Sequence, residues 1–427
     1  MKFHRSEHQQ MGIHTLVTDK FKTTTLVLNV QRPLVAGQVT RSALVPHVLM
    51  RGSASYPSVR AMQIELDGMY GAYLSVDVYK LGERHILQFR LELPNGKYLP
   101  GYPKLLQGAI AFLHEVVTNP LLDGEAFNAR FVELEKDALK KRVEGLFNNK
   151  MRYAMVRCLE LMCPSEPYRI FSGGRIEDLD AITPETLTAE YREMLATAPM
   201  DLFVVGDIEP AIVEAEVKAR FTLPERAPQS LPPTSILGHH GDVKTVVERF
   251  DVNQGQLVMG LRTPVHYGHE DHYAMTMYNG ILGGFAHSKL FMNVRERESL
   301  AYSARSRYEA QKGLVIIQAG INIEDYDRAI KVIHEQLDAM AAGDISDLEL
   351  EQTRAMLVNT YKEAYDSPGA LINLAFESLV AGRDRSIEEL VAAVPGITKG
   401  DITRMASQVQ LDTVYFLRDK EKVATHA

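Results

Sequence analysis

The spacing of apolar and polar positions changes along this chain in a series that occurs twice. Residues 25–33 read Thr-Leu-Val-Leu-Asn-Val-Gln-Arg-Pro, an apolar run stopped by Pro33, which predicts a strand ending in a turn. An apolar helix follows and runs towards Gly52. A second helix covers Val59 to Leu66, Gly71–Ser75 opens a strand, and His85 to Leu93 alternates as another. Downstream, Gln256–Pro264 repeats the strand and turn, and an apolar helix leads to Gly283 and Gly284. A helix runs from Ser288 to Arg297, Leu300–Ser303 opens a strand, and Leu314 to Ile321 is the next. Pro33 and Pro264 stand 231 residues apart, and Tyr73 and Tyr302 stand 229 apart. So steady an offset points to a duplication. Period-2 runs joined by 3.6-period runs give sheets with helices on one face. The expected class is α+β, with two homologous domains, each a mainly antiparallel sheet with helices packed on one face. The Pro-rich polar stretch near the middle sets the boundaries: a domain at 1–225, a linker at 226–245 and a domain at 246–427.

Composition narrows the function classes. The 427 residues are 45% hydrophobic and 24% charged, an ordinary globular balance with ample core for two domains. The net charge of −8 comes without long single-sign runs, which argues against nucleic acid as a partner. The two cysteines, Cys158 and Cys163, lie in one helical region and are too few for a disulfide framework. No N-terminal stretch has a signal-peptide apolar core, and no run approaches the ~20 apolar residues of a membrane span. The expected location is the cytoplasm, with no membrane partner.

Three segments carry the candidate chemistry. Residues 43–52 read Ala-Leu-Val-Pro-His-Val-Leu-Met-Arg-Gly, residues 135–143 read Glu-Lys-Asp-Ala-Leu-Lys-Lys-Arg-Val, and residues 283–302 read Gly-Gly-Phe-Ala-His-Ser-Lys-Leu-Phe-Met-Asn-Val-Arg-Glu-Arg-Glu-Ser-Leu-Ala-Tyr. They resemble the pitrilysin/insulinase (M16) metallopeptidases. Residues 149–154 and 158–168 are similar to its bacterial YmfF-type subgroup in particular. The resemblance covers nearly the whole chain and implies the M16/LuxS-metallohydrolase-like fold in both halves.

The resemblance also shows what is missing. The family's His-x-x-Glu-His puts two zinc ligands and a general base on one helix face, and a downstream Glu completes the ligand set. Here Ala43 stands for the first His, Pro46 for the Glu, His47 alone survives, and Arg142 falls on the third ligand. Ala43 cannot ligate, Pro46 cannot take a proton, and Arg142 would repel a cation. Pro46 also removes a backbone donor at a cost of about 3 kcal/mol in a helix interior, so a helix starting near Pro46 or kinked there is expected. No metal and no cofactor are expected in this chain.

The second half keeps the family's accessory residues. The resemblance implies that Arg295 and Tyr302 reach the zinc site of an opposing domain, where a donor aimed at the developing oxyanion stabilises it. It also places Gly283, Gly284 and Ser288 on the substrate-binding side. The family's Gly before Leu-Ala-Tyr is Ser299 here. The alternative for residues 295–298 is a solvated helix end, and for Tyr302 a core position like that of Tyr73. His266, His269 and His272 are spaced like metal ligands but fall in a loop and first helical turn, where a solvated loop is expected.

Together these features imply a non-catalytic, Arg/Tyr-bearing subunit of a heterodimeric zinc peptidase. Its partner would be an M16 chain with intact His-x-x-Glu-His, which would carry the zinc, and its substrate a peptide. The rival class is a proteolytically inactive scaffold or peptide-binding protein. The subgroup carries a weak association with modification of elongation factor P.

Overall fold

The computed structural model describes residues 2–101, 104–239 and 241–420. Thirteen strands are present among them: β1 (His4–His8), β2 (Met11–Val17), β3 (Thr23–Pro33), β4 (Tyr73–Leu81), β5 (Arg84–Pro94), β6 (Leu122–Asp123), β7 (Ala126–Phe127), β8 (Met200–Gly206), β9 (Lys244–Phe250), β10 (Gly255–Arg262), β11 (Ala301–Glu309), β12 (Leu314–Ile321) and β13 (Gln410–Asp419). They form a six-stranded sheet of order β1-β2-β8-β3-β5-β4, a five-stranded sheet of order β11-β12-β10-β13-β9, and the short β6–β7 pair. Read from opposite ends, the orders superimpose, with β4 on β11, β5 on β12, β3 on β10, β8 on β13 and β2 on β9. The β2–β8 and β9–β13 pairs are parallel and every other pair is antiparallel. The duplication expected from the apolar spacing is therefore a duplication of topology.

Alternation decides which face of each sheet is covered. In β3, Leu26, Leu28 and Val30 point into the first core, and Asn29 and Gln31 point the other way. That core is closed by α1 (Val39–Leu49), α2 (Val59–Gly68), α3 (Leu105–Thr118) and α4 (Ala129–Leu146). Helix α3 buries Leu106, Ala109, Ile110, Leu113, Val116 and Val117, a continuous stripe at helical spacing. Each large apolar side chain so buried contributes roughly 1.5–3 kcal/mol.

The main break between the compact units, Pro233 to Thr234, falls within the linker stretch, but each unit also takes a segment from beyond it. One comprises the chain up to Glu144, Ile170–Pro233 and Tyr365–Phe376; the other comprises Gly145–Arg169, Thr234–Ala364 and the chain from Glu377. Helix α5 (Lys150–Met162) thus belongs to the second unit, where Ala154, Cys158, Leu159 and Met162 join Val258, Ile316 and Tyr415 in a separate apolar layer. Gly260 is required there, because a Cβ would lie 2.5 Å from Met162 Sδ. The two free cysteines are buried in this layer. A buried ion network holds its rim: Glu166 contacts Arg262 and Lys312, each at 2.6 Å, and Arg262 contacts Asp412 at 2.8 Å. No helix among the described residues is long and apolar enough to cross a membrane.

Candidate functional site

Helix α1 runs unbroken through Pro46. It starts at Val39, not near Pro46 as its residue type suggests, and Met50 N–H still bonds the Pro46 carbonyl at 3.2 Å. The helix survives because Leu44, Val45, Val48 and Leu49 are all buried in the first core, which offsets the missing donor. Ala43 is also buried, and His47 sits half-buried in the last turn.

Helix α4 brings Glu135 and Arg142 to the same place. They are seven residues apart, about two turns, and share a face. Glu135 is buried; its Oε1 accepts from Arg51 Nε at 2.6 Å, and its Oε2 lies 3.6 Å from Arg142 Nη1. Two guanidinium groups therefore flank the buried carboxylate. Burial lowers the pKa of His47, and the charge of Arg142 lowers it further, against the opposing pull of Glu135 and Asp77. His47 has no second His beside it among the described residues, and the nearby Glu135 is already engaged by two arginines. These residues do not fit zinc. Among the described residues no group of three or more His, Cys, Asp or Glu is placed to hold a metal ion.

The second-half site is built on unusual backbone. Two π-helical turns, Gly280–Gly284 and Phe291–Arg297, flank the loop to Ser288. In the second, Glu298 N–H bonds the Asn293 carbonyl five residues back. Such segments concentrate at functional sites. Gly283 is pressed against β11, where a Cβ would lie 2.4 Å from Ser306 N, and Gly284 packs against the Asn279 carbonyl. Ser288 is fully buried and its hydroxyl has no hydrogen-bond partner. Ser299 adopts φ +53°, the left-handed region that its glycine counterpart favours. Tyr70, 229 residues earlier, does the same at φ +61°.

This turn delivers Tyr302 to a β-bulge. Ala301 pairs with Ile321 and Ser303 with Gly320, which leaves Tyr302 as the extra residue. A bulge re-aims the side chain it carries, and Tyr302 is 82% exposed. Its repeat-mate Tyr73 is 66% exposed, so neither is a core residue. Arg295 is exposed; its guanidinium lies 4.6 Å from the centre of the Phe291 ring, with Glu296 at 3.5 Å. Arg295, Glu296, Ser299, Leu300, Tyr302 and Asn322 line an open cleft of about 420 Å³. One phenol and one guanidinium thus reach solvent side by side.

Comparison with known proteins shows the family and the fold. The family profile described as "Peptidase M16 inactive domain" matches residues 181–357. A Bacillus subtilis protein named "Probable inactive metalloprotease YmfF" is 38% identical over 98% of both chains. The chain belongs to the peptidase M16 family. A crystal structure of a conserved protein from Enterococcus faecalis V583 superimposes with a TM-score of 0.90 at 29% identity, covering 98% of this chain and 99% of that one. A Helicobacter pylori protease shares the fold at a TM-score of 0.82 and 15% identity, over 97% and 99% of the two chains.

Within this M16 chain the histidine run is not a site. His266 Nδ1 donates to the Pro264 carbonyl at 3.2 Å, and His269 Nδ1 accepts from Asp271 N–H at 3.1 Å. His272 is buried against Tyr267 and Tyr308, and burial pushes its pKa down to about 3. The His266 and His269 rings lie 6.0 Å apart, but with His272 they form no group placed to hold a metal ion among the described residues. Sequence reasoning missed Arg51 and Glu135. Glu135 was visible as the first residue of the segment that holds Arg142, but its pairing with Arg51 is long-range and leaves no local signal.

Proposed function

We propose that this chain is the non-catalytic subunit of a two-chain zinc peptidase and supplies Arg295 and Tyr302 to the active site of a zinc-bearing M16 partner. One observation carries the reading. Tyr302 is set outward on a bulge beside exposed Arg295, in a chain whose buried Glu135 is held by Arg142 and Arg51. A pure scaffold has no need to hold a phenol 82% exposed on a left-handed turn.

The metal chemistry belongs to the partner, whose zinc supplies the hydrolytic water. The tasks of this chain are positioning and charge stabilisation. Tyr302 donates its phenolic proton in a hydrogen bond to the carbonyl oxygen as negative charge grows there. Arg295 grips a neighbouring substrate carbonyl as a charged donor. The substrate is a peptide in extended conformation, because an edge strand recognises main chain before side chains.

The test is reconstitution. This chain and an M16 partner with intact His-x-x-Glu-His are purified separately, mixed, and followed by size-exclusion chromatography and a fluorogenic-peptide assay. Activity is expected only in the mixed complex, and it should vanish when the partner's Glu base becomes Gln. Equal activity from the partner alone would remove the case for an accessory subunit.

A further inference from the structure

The edge strand that bears Tyr302 is charged in a way its repeat-mate is not. Between positions 295 and 307 the chain carries four Arg and two Glu, a local excess of two positive charges in a protein of net charge −8. Glu298 is already engaged by Arg328. Arg297 makes no ion pair among the described residues, and Arg305 contacts only the neutral Gln318, at 3.2 Å. Arg307 pairs with Glu309 at 2.8 Å yet keeps 72% of its side chain exposed. The corresponding edge, β4, carries Asp77 and no cation between Tyr73 and Tyr79.

The geometry of β11 makes that charge readable. It is the outermost strand of its sheet, so every second residue directs its N–H and C=O to the open edge. Ser303, Arg305 and Arg307 alternate with Ala304 and Ser306, which are buried. Arg305 and Arg307 therefore stand on one face, about 6.6 Å apart along the strand. A strand added to this edge would set its own side chains at the same repeat.

We propose that β11 is a docking edge for an extended peptide segment with acidic side chains at alternate positions. This rests on reading the Tyr302 edge as peptide-facing, and it names the substrate class. The segment pairs main chain to main chain with β11, and its carboxylates meet Arg305 and Arg307. Its upstream end enters the cleft between Arg295 and Tyr302. The competing role for arginines on an exposed strand is to repel unwanted strands, and it requires no acidic preference.

Fluorescence anisotropy of this chain alone decides between them, with short labelled peptides that alternate Thr with Glu, Gln or Lys. Each exposed Arg–carboxylate pair is worth up to about fivefold, so the Glu peptide should bind roughly tenfold more tightly than the Gln peptide. The preference should disappear at about 1 M salt, where the Debye length is ~3 Å. Arg305→Glu should cancel it, and Arg305→Glu with Arg307→Glu should reverse it in favour of the Lys peptide, while leaving the melting temperature in place. N-methylation of alternate peptide nitrogens, which removes the donors needed for strand addition, should abolish binding. Equal binding of the three peptides, or full binding of the N-methylated Glu peptide, would overturn the inference and leave the accessory-subunit reading to its own reconstitution assay. A Glu preference that survives Arg305→Glu would also overturn it.

Discussion

Tyr302→Phe separates a reacting residue from a packing one, because this structure gives the two roles very different costs. The side chain is 82% exposed, and its hydroxyl has no hydrogen-bond partner among the described residues. Removing one exposed oxygen should change stability by less than about 0.5 kcal/mol. Tyr415 is the internal control. It is fully buried, and its hydroxyl donates to Glu248 Oε2 at 2.8 Å. Losing a buried bond to a charged acceptor costs about 1.5–3 kcal/mol, so Tyr415→Phe should lower the melting temperature visibly. In the assembled peptidase the order should invert. Loss of one oxyanion donor lowers turnover on the order of 10²–10³, so Tyr302→Phe should retain assembly and melting behaviour and lose most of its kcat. Tyr415→Phe should retain per-molecule activity below its own transition. Thermal melts and fluorogenic-peptide kinetics on the same preparations give both readings. A Tyr302→Phe protein that melts early and turns over normally would refute the assignment.

Three further outcomes follow from the buried charges. Arg142→Gln should raise the His47 pKa, since the Arg142 charge is the second cause of its depression after burial; an NMR titration that shows no rise would refute the proximity argued here. Glu166→Gln removes the negative charge shared by buried Arg262 and Lys312 and leaves Asp412 as the carboxylate at Arg262, at a cost of up to about 3–5 kcal/mol. The second unit should then melt up to roughly 6–20 °C earlier, whereas Lys399→Ala, at an exposed pair with Asp347, should change little. Burial, and then the nearby Glu309, raise the Glu377 carboxyl to about 7. The folded protein therefore holds a proton there that the unfolded chain has released above about pH 4.5, so stability falls as pH rises from about 4.5 to 7. The loss is at most about 3 kcal/mol. Glu377→Gln should flatten that slope in pH-dependent melts; an unchanged slope would place the titration elsewhere.

The α+β fold was legible because the duplication writes the same change of period twice, with proline stops and tyrosine openings in register. Sequence could not show that Gly145–Arg169 joins the second unit. The apolar stripe of α5 serves equally well under either sheet, and only long-range packing, such as Met162 against Gly260, makes the choice. Pro46 misled for a related reason. Its local cost is real, but four buried apolar residues on α1 outweigh it. Tyr302 was ambiguous between core and site, since a bulge depends on the register of two strands and no single segment encodes it.

The first-half segment that resembles the family's zinc motif keeps its helices without most of the motif's residues. The backbone that would present the motif remains, with α1 intact and α4 directing Glu135 and Arg142 to one spot. Glu135 is 5% exposed, and an unpaired carboxylate at that depth would be strongly disfavoured. Arg51 at 2.6 Å and Arg142 at 3.6 Å supply the compensating charge. Arg142 is thus more than a missing ligand, because it supplies positive charge to a site that still contains a buried negative one. Restoring Ala43→His and Pro46→Glu alone would add ligands beside two resident guanidinium groups and should leave zinc unbound by equilibrium dialysis. Adding Arg142→Glu removes one of those cations and supplies the third ligand. Stoichiometric zinc in the double variant would show that the arginines are bystanders; zinc gained with Arg142→Gln in place of Arg142→Glu, which removes the cation without adding a ligand, would show that their charge excludes the metal.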